Sequence, residues 1–201
     1  MGPPPSPTVA AAEATAELHL PTPTPGYWPT RSAVVNFPEW LWIDASIWHP
    51  ISVSATATNA GGSTTVTATA TPRYVEWHMG DSQRLAQYFG PTDIPSYAHA
   101  GVGCSGPGVV HILTQVYSTS QKTNCSFAYQ VMPSEPSIPA QNFTVRPVVH
   151  WQVTWSGAAG STGTMPDLTS PGAPFPMHVD QIEIRLCVPS TCPTGLVKIP
   201  R

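Results

Sequence analysis

Two runs of residues, Ile51-Ser-Val-Ser-Ala-Thr-Ala-Thr58 and Thr65-Val-Thr-Ala-Thr-Ala-Thr71, alternate apolar and hydroxyl side chains on either side of Asn59-Ala-Gly-Gly-Ser63. Alternation with a period of two places successive side chains on opposite faces of an extended strand, and a glycine-rich connection folds one run back on the other. The pair is therefore read as an antiparallel hairpin. Val53, Ala55 and Ala57 face the same way as Val66, Ala68 and Ala70; Ser52, Ser54, Thr56 and Thr58 share the other face with Thr65, Thr67, Thr69 and Thr71. The small inward alanines leave space that predicts bulky side chains from a facing sheet. Trp151, Val153 and Trp155, on one face of a later alternating run, are the expected fillers.

Further strands are expected at 33–37, 40–43, 74–77, 125–129, 143–155 and 177–186, with Pro38 limiting the first to an edge or a break. The stretch 82–123 reads as long and irregular, and within it 109–117 is either a short strand or a short helix. Residues 156–163 read as a flexible linker between strands. No convincing amphipathic helix emerges. The expected fold is all-β, an antiparallel immunoglobulin-like sandwich of seven to eight strands with long loops. Residues 1–32 are rich in Pro, Ala and Thr, and Pro-Thr-Pro-Thr-Pro at 21–25 favours polyproline II, so this segment is expected to be an extended stalk or tail. The domain is then expected over 33–192, with a short tail at 193–201.

Charged residues make up 9% of the 201-residue chain, and the formal net charge is -3. Eight scattered basic residues argue against nucleic acid as a partner, since phosphate recognition needs clustered Lys and Arg. No apolar run reaches the roughly 18–20 residues that cross a bilayer, so no transmembrane segment is expected. Met1-Gly-Pro-Pro-Pro-Ser-Pro has neither the basic head nor the apolar core of a signal peptide. Export is instead inferred from composition and from the four cysteines. Cys104 with Cys125, and Cys187 with Cys192, each close a turn-rich loop and are the favoured pairs among the three connectivities. Free thiols in a cytosolic chain are the competing reading. A metal site is a weaker one, because paired C-x-x-C knuckles are missing.

Trp77-His-Met-Gly-Asp-Ser82, Phe127-Ala-Tyr129 and the strand 143–155 occur in an order that resembles the PKD-like family of immunoglobulin-type β-sandwiches. That family has an aromatic-x-hydrophobic-Gly-Asp turn followed by a Tyr-bearing strand. Trp40-Leu-Trp-Ile-Asp44 and Cys104-Ser-Gly-Pro-Gly108 narrow the likeness to secreted or surface proteins of high-GC Gram-positive bacteria. The resemblance spans about 34–186 and departs from the family in Ser82, in the 82–103 insertion and in the closing cysteine pair. It implies a non-catalytic extracellular structural or adhesive module whose partner is a protein or a polysaccharide at the cell surface.

Candidate chemistry is sparse. Ser82 follows Gly80-Asp81, but Gln83-Arg84 stands where an oxyanion loop would need glycines, and a hydrolase is the reading ranked last. Asp81 and Asp93 are weak calcium candidates, since calcium takes oxygen ligands from loops; no other cofactor is expected. His150, alternating with the Trp face of its strand, is expected at a solvated surface. Seven tryptophans serve either as core filler or as a stacking platform, core being favoured for most. Trp28 and Trp48 fall outside the clearest strands and are the candidates for exposed, ligand-binding rings. The hydroxyl faces and the scarcity of Lys on strand edges leave two other readings open, binding to an ordered surface and self-association into a surface assembly.

Overall fold

The alternating hairpin becomes two strands of unequal length, and the longer one organises the molecule. The computed structural model describes residues 2–30, 32–90, 92–96, 98, 101–110, 123–132 and 142–181. Its strands are β1 (Pro25–Trp28), β2 (Ala33–Val34), β3 (Glu39–Ile43), β4 (Ile51–Asn59), β5 (Gly62–His78), β6 (Val102–Cys104), β7 (Ser126–Phe127), β8 (Phe143–Gly157), β9 (Thr162–Pro171), β10 (Phe175–Met177) and β11 (Val179–Asp180). Two α-helices, α1 (Pro7–Ala16) and α2 (Ser82–Phe89), join them. The chain is mostly β, in several sheets that are antiparallel apart from the β11–β2 pair.

β5 and β8 form a long ribbon, paired from Val66↔Gly157 to His78↔Arg146. A bulge between Pro72 and Tyr74 interrupts it. A proline has no N–H for the ladder, so it is tolerated in mid-sheet at such an irregularity. β4 continues the sheet beside the first half of β5, and β6 beside the second half. On the far side of β8 lie β10 and β9. The 156–163 segment does connect two strands, but as a tight hairpin turn: β8 runs on to Gly157, a short turn at 158–161 follows, and β9 is a ten-residue partner. Its Pro166 and Pro171 hid that strand in the sequence. As an edge strand with a bulge between its Trp151 and Val153 partners, β9 accommodates both.

A smaller sheet runs β1-β3-β7. It shares a core with the second half of the large sheet: Leu41, Ile43 and Phe127 cluster with Val75, Trp77, Val149, Trp151 and Val153. Cys104 on β6 and Cys125, just before β7, form a disulfide, so the covalent link joins the two sheets through their common core. Both cysteines are buried. Cys187 and Cys192, and the predicted strand beyond 181, lie outside the described residues.

Two expectations are corrected by helices. Residues 7–16 are helical rather than extended, and β1 follows within the same supposed stalk. Pro-Thr-Val-Ala-Ala-Ala-Glu-Ala-Thr-Ala begins with proline in the first turn, where its missing N–H costs nothing, and continues in the best helix former. A ten-residue helix is marginal alone. Packing holds it: Ala10 and Ala11 bury against Ala57, Val66 and Trp155, and Ala14 against Ala55 and Ala68. The space over the hairpin alanines is therefore filled by a helix of equally small side chains. Trp151, Val153 and Trp155 do not approach from a facing sheet, because β8 lies beside β5 and puts them alongside those alanines. Asn59 Nδ2 to the Pro3 carbonyl (3.0 Å) and Thr64 Oγ1 to the Pro5 carbonyl (2.7 Å) fasten the leading residues to the hairpin tip. The second helix, α2, begins directly after the Gly80-Asp81 turn and buries Leu85, within what read as irregular chain.

Candidate aromatic binding face

β3 has the sequence Glu-Trp-Leu-Trp-Ile and the burial order buried, half-buried, buried, half-buried, buried. Glu39, Leu41 and Ile43 point inward; Trp40 and Trp42, half-buried, lie on the opposite face of the strand. Pairing in the small sheet sets Trp28 directly opposite Trp40, and Ser126 on the other side of it. Gly26 lies opposite Trp42. The outward positions of the three strands are thus Gly26, Trp28, Trp40, Trp42 and Ser126, none of them charged. A Cβ at Gly26 would come within 2.2 Å of Trp42 Nε1 and 2.4 Å of Cε2, so this indole lies flat across β1 and only glycine leaves it room. Phe37, 45% exposed, extends the face, its ring 6.5 Å from that of Trp28 and tilted at 55°.

The seven indoles divide cleanly. Trp77, Trp151 and Trp155 are core residues. Trp28, Trp40, Trp42 and Trp48 are half-buried. Trp28 and Trp48, singled out together from sequence, are not brought together: Trp48 packs against the main core, whereas Trp28 joins Trp40 and Trp42. Trp40 and Trp42 were legible as a same-face pair in the alternation. Which side they faced depended on the placement of Glu39, which sequence reasoning passed over.

Beneath this sheet lies a group of buried acids. Glu39 is 0% exposed and Asp81 1% exposed. Neither Glu39 carboxyl oxygen, nor Asp81 Oδ2, has a hydrogen-bond partner among the described residues. Burial pushes the Glu39 carboxyl up to about 8; the Val34 amide pulls the other way but lies outside hydrogen-bond geometry. Burial likewise raises Asp81 to about 6, opposed by its own backbone amide. Tyr129 is raised above its ordinary range by burial, then by the charges of Asp81 and Glu39. Its hydroxyl donates to the Met79 carbonyl (3.2 Å), and its ring stacks on Phe143 at 5.0 Å. This bond ties the segment after β7 to the turn after β5. Gly80 is required in that turn twice over: its φ is +75°, and a Cβ would meet the Thr144 carbonyl at 2.5 Å.

The other candidates are dispersed. Asp81 is interior and Asp93 exposed, and among the described residues no group of three His, Cys, Asp or Glu is arranged to hold a metal ion. Ser82 opens α2, and no histidine or carboxylate hydrogen-bonds its hydroxyl among the described residues. His150 is partly buried instead of fully solvated: its Nε2 meets Glu76 Oε2 at 2.8 Å and its ring stacks on Tyr74 at 4.2 Å. Glu76 Oε1 also meets His78 Nε2 at 3.2 Å, a pairing that sequence reasoning missed although Glu76 and His78 stand two apart on one strand face. The hydroxyl face of the hairpin is satisfied across the strands, Ser52 to Thr69 at 2.8 Å, Ser54 to Thr67 at 2.7 Å and Thr56 to Thr65 at 2.8 Å. Among the described residues no helix is long and apolar enough to cross a membrane.

No family model matches the chain, and no curated protein or solved structure shows significant similarity to it.

Proposed function

We propose that this chain is a non-catalytic, exported adhesive module on an immunoglobulin-like β-sandwich of the PKD-like type, and that Trp28, Trp40 and Trp42 are its contact surface for an uncharged polysaccharide. The observation that carries this reading is the register of β3. Shifting that strand by one residue would bury two indoles and release a carboxyl to water. The chain instead keeps Glu39 inside without a hydrogen bond and Trp40 and Trp42 outside. Such an inversion runs against the hydrophobic effect, and local choices that oppose folding concentrate at functional surfaces. Indole rings side by side, with no charge among them, suit the apolar faces of neutral sugar rings better than an acidic or basic partner.

Two further features support the family and compartment. The Tyr129 hydroxyl reaches the strand end carrying the Gly-Asp turn, which gives the resemblance in the Met-Gly-Asp and Phe-Ala-Tyr segments a physical role. A buried disulfide between the sheets fits an oxidising environment.

The test is depletion from solution by insoluble cellulose, chitin and isolated cell wall. The wild-type chain is expected to bind at least one of them. Trp28→Ala and Trp40→Ala are each expected to weaken binding at least about tenfold, the scale of a truncated aromatic hot spot, with an unchanged circular dichroism spectrum. Binding that survives both substitutions would place the contact elsewhere. Retention by none of the three materials would remove the polysaccharide from the proposal.

A further inference from the structure

We propose that the free edge of β4 is a self-association surface, pairing antiparallel with β4 of a second copy about a two-fold axis. Among the described residues β4 is hydrogen-bonded to β5 alone, in unbroken register from Ile51↔Ala70 to Asn59↔Gly62. Its other side presents a row of backbone N–H and C=O groups, a template for strand addition. Every other sheet edge among the described residues is blunted. β9 carries Pro166, Asp167, Pro171 and a bulge. β10 has three residues with Pro176 at the centre, and β6 has three and ends in the disulfide. β1 begins at Pro25 and stops before Pro29, while β2, β7 and β11 have two residues each. β4 has nine residues, with no charge, no proline and no bulge.

A second copy is the occupant because the strand is complementary to itself. In an antiparallel two-fold register centred on Ala55, Ser54 stands opposite Thr56 of the other copy and Ser52 opposite Thr58. The cross-strand hydroxyl ladder already formed with β5 is thereby repeated on the other side of β4. On the inner face Ala55 meets Ala55, and Val53, which is half-buried, is covered by Ala57. A slip of one residue would set hydroxyls against alanines and is excluded by the period of the strand. Neutrality removes the like-charge repulsion that a two-fold axis imposes on any charged strand. An isologous contact of this kind closes on itself, so it yields dimers and not filaments.

Sedimentation equilibrium of the full chain over a range of concentrations tests this. The wild-type mass is expected to rise from 21.4 kDa toward twice that value and to level off there. Ser54→Lys/Thr56→Lys sets ammonium against ammonium and is expected to hold the chain at the monomer mass, with its melting temperature little changed because both positions are exposed. Ser54→Lys/Thr56→Glu sets opposite charges face to face in the same register and is expected to restore the dimer. A wild-type monomer at every concentration would leave the edge to some other strand and overturn the proposal. So would a dimer indifferent to the lysines, a Lys/Glu variant that stays monomeric, or growth beyond the dimer. Polysaccharide binding resides on the other sheet and is measured separately, so neither result decides the other.

Discussion

Glu39 sits on the inner side of its strand, the side that suits a carboxylate least. Its proton is retained at neutral pH by burial, and Asp81 leans the same way. Both groups bind protons more tightly in the folded chain than in the unfolded one, so their contribution to stability is full below about pH 4. It is lost as pH rises through about 6 for Asp81 and about 8 for Glu39. Each pKa unit corresponds to about 1.4 kcal/mol, so urea midpoints are expected to fall by the equivalent of a few kcal/mol between pH 4.5 and pH 8.5. Glu39→Gln is expected to remove much of that slope; an unchanged slope would mean that Glu39 reaches water. Tyr129→Phe removes the hydroxyl that donates to the Met79 carbonyl and otherwise keeps the shape of the ring. A loss of about 1–2 kcal/mol by denaturant titration is expected for leaving a buried carbonyl unpaired. From sequence Asp81 is only a weak calcium candidate, since calcium takes oxygen ligands from loops. Nothing local announced that its side chain would be buried.

Elements with strict alternation were legible. β4 and β8 follow their predicted runs closely, and β5 joins the expected 65–71 and 74–77 runs into one strand, because a two-residue period with β-branched residues has few other solutions. Elements whose signal was small or interrupted were not. In α1 the apolar face consists of Ala10, Ala11 and Ala14, spaced as a helix face but too small to stand out from a Pro- and Thr-rich background. Its partner is the alanine face of the hairpin, a match visible only in three dimensions. Deleting residues 2–17 is expected to lower the melting temperature and to red-shift the fluorescence of Trp155, which loses its cover. An inert stalk would leave both unchanged. Ala14→Leu forces a larger side chain between Ala55 and Ala68, with an expected cost of about 1–3 kcal/mol. Of the two predicted disulfides, 104–125 forms, and its sequence separation of 21 leads to an expected loss of about 3 kcal/mol for the double Cys→Ala variant. Thermal denaturation with and without reductant measures it.

At the scale of the molecule, the chain assigns its neutral side chains to different tasks. Aliphatic residues and five buried aromatic ones, Trp77, Phe127, Tyr129, Phe143 and Trp151, fill a core shared by two sheets and stapled by a disulfide. Hydroxyls cover one side of the hairpin, where β4 leaves an unguarded edge. Half-buried indoles lie on the face of the small sheet opposite the buried Glu39. The β-rich class was legible from composition and period, whereas the arrangement of sheets was not, because it depends on which strand lies beside which. The most direct test of the aromatic face is the set of indole N–H resonances, assigned by substitution, during titration with soluble cello- and chito-oligosaccharides. The account predicts that signals of Trp28, Trp40 and Trp42 shift in a saturable manner while those of Trp77, Trp151 and Trp155 stay in place. Saturable shifts confined to the core indoles, or no shift with either sugar, would contradict it.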